Sequence, residues 1–465
     1  MTAERFDDIV IGAGQAGPSL AARLAGAGRK VALVERRFYG GTCINTGCRP
    51  TKTLIASAKV AEMARRAAEF GIVAGPVSAD MKAVHARVAA IVAKGRQELA
   101  DWLAGVNGLT LVHGHARLTG PNSVDVAGQV FEAERIFVNV GARAVLPDLP
   151  GVRNVPTLDN TGMLALEELP RHLVVVGGGY IGLEFAQAFR RLGSEVTVVE
   201  KGPQVIGRED PDVSEAVRRI LEDEGVRIRT HAECIRFARY DGRVAVHVDC
   251  AEGAPEEFGT HVLLAMGRKP NTNDLGLDAA GVETDKRGII PVDDRLATNV
   301  AGIWALGECN GRGAFTHTAY NDYEVLAANL LDGGDRKVTD RLPAYALFTD
   351  PPLGRVGMSE AAARASGRPV LVGTRRMATV SRAVEKSETA GFIKVLADAD
   401  TRAILGAAIL GVEGDEAIHA VLDLMYVGAP VEAIARAVHI HPTVAELLPT
   451  VFQEMTPLER AGSAG

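Results

Sequence analysis

The chain is predicted to be an α/β protein in which one βαβ unit occurs twice and a separate α+β domain follows. Three observations carry this. The stretches DDIVIGAGQAGPSLAARLAGAGRKVALVE (7–35) and HLVVVGGGYIGLEFAQAFRRLGSEVTVVE (172–200) share one plan: an apolar β-branched run, a GxGxxG turn, a helix with apolar periodicity, and a second apolar run ending in Glu. In both copies that Glu stands 23 residues after the first glycine, at 12 to 35 and at 177 to 200. From about Leu342 the pattern changes to alternating strands such as GFIKVLAD and RAILGAAILG with two helices behind them, which reads as a domain of its own.

In each βαβ unit the glycines have separate jobs. Gly12 and Gly177 permit the tight turn, Gly14 and Gly179 let the backbone approach a pyrophosphate, and Gly17 and Gly182 allow close helix–strand packing. Glu35 and Glu200 are then placed to accept hydrogen bonds from ribose hydroxyls. An isolated GxGxxG is weak, but a strand before, a helix after and an acid about 20 residues on is the context such a turn needs. Two Rossmann-like dinucleotide sites are expected.

Between the units the sequence predicts one long helical stretch, about 50–104, and then a strand-rich passage ending in RIFVNVGARAVLPDLPG. Pro147, Pro150 and Gly151 mark a linker. Short strand-like runs after the second unit lead to LLAMGRKPN (263–271) and ATNVAGIWALGECN (297–310). The expected boundaries are 1–150, 151–272, 273–341 and 342–465. Apart from the duplication there is no repeat.

Composition narrows the chemistry. A length of 465 residues suits roughly three domains. The formal net charge of −7 offers no electrostatic footprint for nucleic acid or an anionic membrane, so a small-molecule partner is expected. The N-terminal MTAERFDDIV is acidic where a secretory signal is basic and then apolar. The most apolar candidate span, Ala403 to Val412, is too short and contains glycines. A cytoplasmic protein is expected, and there disulfides are usually transient and catalytic.

That bears on GGTCINTGCRPTK (40–52), which holds two of the five cysteines. The segment enters a helix favoured from Thr51 to Ala68. In a regular helix, residues five apart lie about 8–9 Å apart between Cα atoms, whereas a disulfide needs about 4.4–6.8 Å. Bonding Cys43 to Cys48 therefore requires a distorted first turn, for which Gly47 and Pro50 are suited. A thiol at a helix N-terminus would be unusually acidic and its thiolate more reactive. Three readings stand at this point: inert buried thiols, half of a metal site, and a redox pair. Cys234, Cys250 and Cys309 are too scattered to complete a zinc site, and no metal is expected.

With GAGQAG, GGTCINTGCRPTK, GGGYIGLE, AMGRKPN, GIWALGEC and HPTVAE in this order, the sequence resembles the class I pyridine nucleotide–disulfide oxidoreductases, the flavoproteins that include glutathione reductase, dihydrolipoamide dehydrogenase and mercuric reductase. The resemblance covers essentially the whole chain. It implies FAD on the first unit and its return segment (1–150 and 273–341), nicotinamide nucleotide on 151–272, and a dimerisation domain at 342–465. It implies a redox-active Cys43–Cys48 disulfide, with Cys48 the charge-transfer thiol against the flavin and Cys43 the interchange thiol. Lys52 would lie near the flavin and pair with Glu184, and Tyr180 would gate the nicotinamide pocket beside Ile181. Gly41, Thr42, Gly141, Gly267, Arg268, Gly307 and Glu308 complete the implied cofactor contacts. His441 and Glu446 match the family's acid–base pair, which reaches the cysteines from the other subunit of a homodimer. Read without the family, Thr443 to Glu446 is a helix capping box, and His439 is a core or interface residue.

The chain departs from the family pattern in three places. Glu308 stands where Asp is usual, one methylene longer but still an acceptor for the ribityl chain. Arg49 replaces an apolar residue and is expected to place a cation beside Cys48. The tail PLERAGSAG lacks the cysteine pair typical of mercuric reductases, and His441 is present. The segments FTHTAYNDYEV (315–325) and DPPLGRVGMSE (350–360) resemble a branch of bacterial flavoproteins that protect against reactive chlorine species. The expected function is reduction of a disulfide or another thiol-reactive oxidant by NAD(P)H, with NADH preferred because Glu200 repels a 2′-phosphate. The rivals are a mercuric or cupric ion reductase, a dihydrolipoamide dehydrogenase, and a flavin-bound NADH sensor.

Overall fold

A computed structural model describes residues 3–233, 235–248 and 256–459. Cys234 and Cys250 lie outside these residues.

Strand Glu4–Ile11 sits at the centre of a seven-stranded sheet, parallel to Val31–Glu35 on one side and to Gln129–Val138 on the other. Its apolar run is needed because both faces are covered: Ile9, Val10, Val31 and Leu33 are fully buried. The second unit repeats the plan in a parallel four-stranded sheet, with His172–Val176 between Glu195–Val199 and His261–Leu264. Each central strand delivers its chain directly into a glycine turn and a helix, Gly17–Gly26 in the first unit and Tyr180–Leu192 in the second. Phe185 and Phe189 anchor the second helix from inside the core, so truncating either to Ala should cost about 3–5 kcal/mol.

The expected single helical stretch is two helices, Cys48–Arg65 and Met81–Ala104. They are separated by a segment containing Gly71, Gly75 and Pro76, which helical propensity does not favour. Asp80 restarts the second helix by accepting the Ala83 N–H at 3.1 Å.

The C-terminal region forms a six-stranded antiparallel sheet in which the expected strands appear as Phe392–Asp398 and Ile404–Leu410. Ala403 to Val412, the most apolar run, is thus mostly a buried strand, and among the described residues no helix is long and apolar enough to cross a membrane. The helical part is four short helices rather than two, Gly414–Ala417, His419–Tyr426, Val431–Ala435 and Leu448–Gln453. This region is tied to the second unit through Asp350, which pairs with Lys59 at 2.9 Å and with Arg191.

Candidate functional site

One large cavity, about 1270 Å³, opens where the first sheet, the helix Cys48–Arg65 and the C-terminal region meet. Its floor begins at the first glycine turn. Gly12 has φ +102°, and a Cβ there would stand 2.4 Å from the Asn139 carbonyl oxygen; a Cβ on Gly17 would stand 2.1 Å from the Gly12 oxygen. These two positions are glycine because the strand, the turn and the helix touch backbone to backbone. Gly14 and Gly41 approach each other as closely, a Gly41 Cβ falling 2.7 Å from the Gly14 Cα.

The two units place their acids alike. Glu35 accepts the N–H groups of Ala13 and Arg37, both at 2.8 Å. Glu200 accepts those of Gly178 at 2.6 Å and Gly202 at 2.7 Å. Each carboxylate closes its own glycine turn and keeps lone pairs for a further donor. In the second turn, Cβ atoms on Gly177 and Gly182 would meet backbone oxygens at 2.5 and 2.1 Å, while nothing lies within 4 Å of one on Gly179. The space above Gly179, at the start of the helix Tyr180–Leu192, is open.

Gly12, Gly14, Glu35, Gly41, Thr42 and Gly141 line the cavity along one stretch, and Arg268, Gly307 and Glu308 along another. Gly267, at φ +113° with open space around it, lets the chain turn before Arg268. Arg268 donates to Glu308 at 2.7 Å, so the longer acid in place of Asp is held by a cation while its second oxygen stays available. The depth, the glycine cradle and the paired acids fit FAD.

The cysteines sit on the same cavity. The chain does not run through them as one distorted helix. It breaks: Cys43 is in the short helix Gly41–Asn45, and Cys48 is the first residue of Cys48–Arg65. Gly47 makes the break, since a Cβ there would meet the Thr42 oxygen at 2.8 Å. Both cysteines are free thiols, Cys43 half-buried and Cys48 exposed. The hydrogen bond between them, reinforced by burial, pushes the Cys43 thiol up; the same bond, with Thr316 and the Lys52 charge, holds Cys48 down at about 5. The two sulfurs are thus driven in opposite directions, Cys48 being the more acidic of the pair.

Lys52 donates to Glu184 at 2.8 Å and lies 4.4 Å from the centre of the Phe348 ring, whose backbone N–H also reaches Glu184 at 3.1 Å. Tyr180 and Ile181 line the cavity on its second-unit side. The expectation for Arg49 is corrected: its guanidinium packs over Gly95 of the helix Met81–Ala104, where a Cβ would fall 1.8 Å from Nη1, and its charge is felt at Cys43, lowering that thiol.

His441 and Glu446 do not line this chain's cavity. They form their own pair on the C-terminal region, His441 Nδ1 to Glu446 Oε2 at 2.7 Å, and the same oxygen accepts the Thr443 N–H at 3.3 Å. The cap and the His contact coexist. Burial works against ionisation of Glu446, but the His441 and Thr443 hydrogen bonds outweigh it and hold the carboxyl below its usual range. An ionised Glu446 can only accept, which makes Nδ1 the donor and leaves Nε2 free. His441 is 72% exposed, and Val438 and Ile440 beside it are 98% and 78% exposed. His439 is half-buried and bonds the Ala445 carbonyl at 2.6 Å.

Reasoning from sequence missed Thr316, whose hydroxyl lies 3.3 Å from Cys48 Sγ at the start of the helix Thr316–Leu331. It lies inside FTHTAYNDYEV, but a threonine 268 residues from its partner gives no local signal. It also missed Glu209, which accepts from the Tyr180 hydroxyl, and Tyr345 and Arg355, which donate to Glu209.

Comparison with known proteins accords with this geometry. The model of a family described as pyridine nucleotide-disulphide oxidoreductase matches residues 6–322, and that of its dimerisation domain matches 343–452. The chain belongs to the pyridine nucleotide-disulphide oxidoreductase family. It is 36% identical over 456 residues to the probable pyridine nucleotide-disulfide oxidoreductase RclA of Escherichia coli K12, covering 96% of this chain and 99% of that protein. A solved Cu(II) complex of the HOCl-induced flavoprotein disulfide reductase RclA from Escherichia coli, 36% identical, superposes with a TM-score of 0.88 over 97% of this chain and 99% of that one. A mercuric reductase of Streptomyces lividans is 32% identical, covering 97% of this chain and 96% of that protein. Family membership makes this chain an FAD-dependent NAD(P)H oxidoreductase with a C-terminal dimerisation domain.

Proposed function

We propose that the protein uses NADH to reduce thiol-reactive oxidants, electrons leaving through Cys43 and Cys48. The observation that carries this reading is the pair of free cysteines in the wall of the cavity, next to the Lys52–Glu184 ion pair. Bound FAD supplies the relay between a two-electron hydride donor and a dithiol.

The chain's own residues do the rest. The turn at Gly12, Gly14 and Gly17 with Glu35, and the stretches at Gly41, Thr42, Gly141 and Gly267 to Glu308, hold the cofactor. Lys52, fixed by Glu184, keeps a positive charge beside Cys48. Cys48 stays a thiolate because Cys43 and Thr316 bond to it. Cys43 is the thiol that attacks the acceptor, and each turnover must remove and return its proton. His441 of a second copy, oriented by Glu446, is the base for that proton, its Nε2 being free and its surroundings apolar and exposed as an interface requires. The dimerisation domain supports a homodimer.

Segments 1–150 and 273–341 are assigned to FAD and 151–272 to the nicotinamide nucleotide. Glu200 supports NADH over NADPH by repelling a 2′-phosphate. The use of cysteine in the site supports a cytoplasmic location.

A cupric ion as acceptor is the second reading. It is favoured by the solved Cu(II) complex of the relative. The test is steady-state NADH oxidation by FAD-loaded protein against glutathione disulfide, lipoamide, hypothiocyanite, Hg(II) and Cu(II). The proposal expects a thiol-type oxidant to give the highest catalytic efficiency by orders of magnitude; a metal ion in that place would transfer the assignment to metal reduction.

A further inference from the structure

Tyr180 opens the helix Tyr180–Leu192 one turn ahead of Glu184, so its ring stands on the face that carries the Lys52–Glu184 pair. Its hydroxyl does not point to solvent. It donates to Glu209 Oε1 at 2.7 Å, and Tyr345 donates to the same oxygen at 2.7 Å. The other oxygen of Glu209 receives Nε and Nη2 of Arg355 at 3.1 and 2.8 Å, and Arg355 also reaches Asp210 at 2.8 Å. Glu209 and Arg355 are both buried, the side chains 0% and 1% exposed. The Tyr180 and Tyr345 ring centres are 5.7 Å apart, and Tyr345 stacks on Phe315 at 5.6 Å.

Glu209 belongs to the second unit, near the end of the loop that starts at Glu200, whereas Tyr345 and Arg355 belong to strands of the dimerisation domain. That loop docks on the second glycine turn, Ile206 N–H donating to the Gly178 oxygen at 2.8 Å. Ile206 holds φ +41°, a costly conformation for a β-branched residue, and packing must enforce it. The carboxylate of Glu209 is thus presented by a strained loop and fixed from the other side by a domain the nucleotide does not need to touch.

We propose that Glu209, positioned by Arg355, is a latch that holds Tyr180 across the nicotinamide side of the cavity, so that the nucleotide must break the Tyr180–Glu209 hydrogen bond to enter. The inference rests on the reading of Tyr180 as the gate. Its logic is charge bookkeeping: when Tyr180 leaves, Glu209 keeps Tyr345 and Arg355 and is never a bare buried charge, so opening costs the Tyr180 bond to Glu209 and the Tyr180 contact with Tyr345 but strands no ion. The structure requires no rearrangement of the dimerisation domain for this. Glu209 and Arg355 are positioning residues.

The test uses the FAD-loaded dimer. Tyr180→Phe keeps the ring and cuts only the latch, leaving Glu209 paired. NAD+ affinity by isothermal titration should rise about tenfold, which is about 1.4 kcal/mol for one hydrogen bond to a charged acceptor. In anaerobic stopped-flow reduction, the NADH concentration giving half the maximal rate should fall by a similar factor with the limiting rate unchanged. Glu209→Gln should move both quantities the same way, and Tyr345→Phe, which spares the latch, should raise neither. Tyr180→Ala separates the two levels of the claim. If it changes nucleotide affinity while Tyr180→Phe does not, the latch is refuted; if neither variant changes it, the gate reading itself is wrong.

Discussion

Thr316→Val should make Cys48 a weaker acid by about one pH unit. The hydroxyl lies 3.3 Å from Cys48 Sγ and stabilises its thiolate; the Cys48 thiol is held at about 5 by Cys43 first, with Thr316 and Lys52 adding to it. A hydrogen bond to a charged group contributes about 1.5–3 kcal/mol, and one pH unit corresponds to about 1.4 kcal/mol. Cys48 is exposed, so solvent takes back part of that, and the lower end applies. Valine matches the shape and removes only the donor. The assay is a pH titration of the thiolate-to-flavin charge-transfer absorbance in the FAD-loaded protein reduced anaerobically with a single two-electron equivalent of dithionite, which leaves the dithiol facing oxidised flavin. The band should disappear near pH 5 in the parent and near pH 6 in the variant. A midpoint unchanged within about 0.3 pH units would show that Thr316 packs against the sulfur without donating to it, and the account of the thiolate would lose one of its supports.

Other consequences follow from the same geometry. Glu200→Ala should raise the catalytic efficiency with NADPH relative to NADH, and an unchanged ratio would remove Glu200 from nucleotide selection; because the side chain also closes the turn at Gly178 and Gly202, both absolute values should fall. His441→Gln should slow acceptor reduction by about 10²–10⁴-fold while leaving the rate of flavin reduction by NADH intact. Equal loss in both half-reactions would indicate a structural role for the histidine.

Much of this arrangement was legible in the sequence because its parts are local. The glycine turns, the acids 23 residues on and the CINTGC segment each announce themselves within one stretch of chain, and the structure places both turns and both acids in matching geometry. Lys52 and Glu184, 132 residues apart, were reachable only through the family resemblance, and they do meet at 2.8 Å. The break at Gly47 was read as a distortion of one helix because the local pattern gives propensity, not the contact with the Thr42 carbonyl that forbids a side chain. Arg49 was misread for a related reason: adjacency in sequence suggested Cys48, but residues next to each other on a helix point in different directions, and this one turns to Gly95. Thr316, Tyr345 and Arg355 left no trace because their partners lie more than a hundred residues away in the chain, and only packing brings them together.

The central claim is that electrons leave through the cysteine pair. Cys43→Ser in the FAD-loaded protein, followed in parallel by anaerobic flavin reduction with NADH and by steady-state turnover with the preferred acceptor, tests it most directly. The account predicts that the flavin is still reduced once at the parent's rate and that acceptor turnover falls to background. Acceptor turnover persisting at the parent's rate would contradict it, because electrons would then reach the acceptor without passing through Cys43.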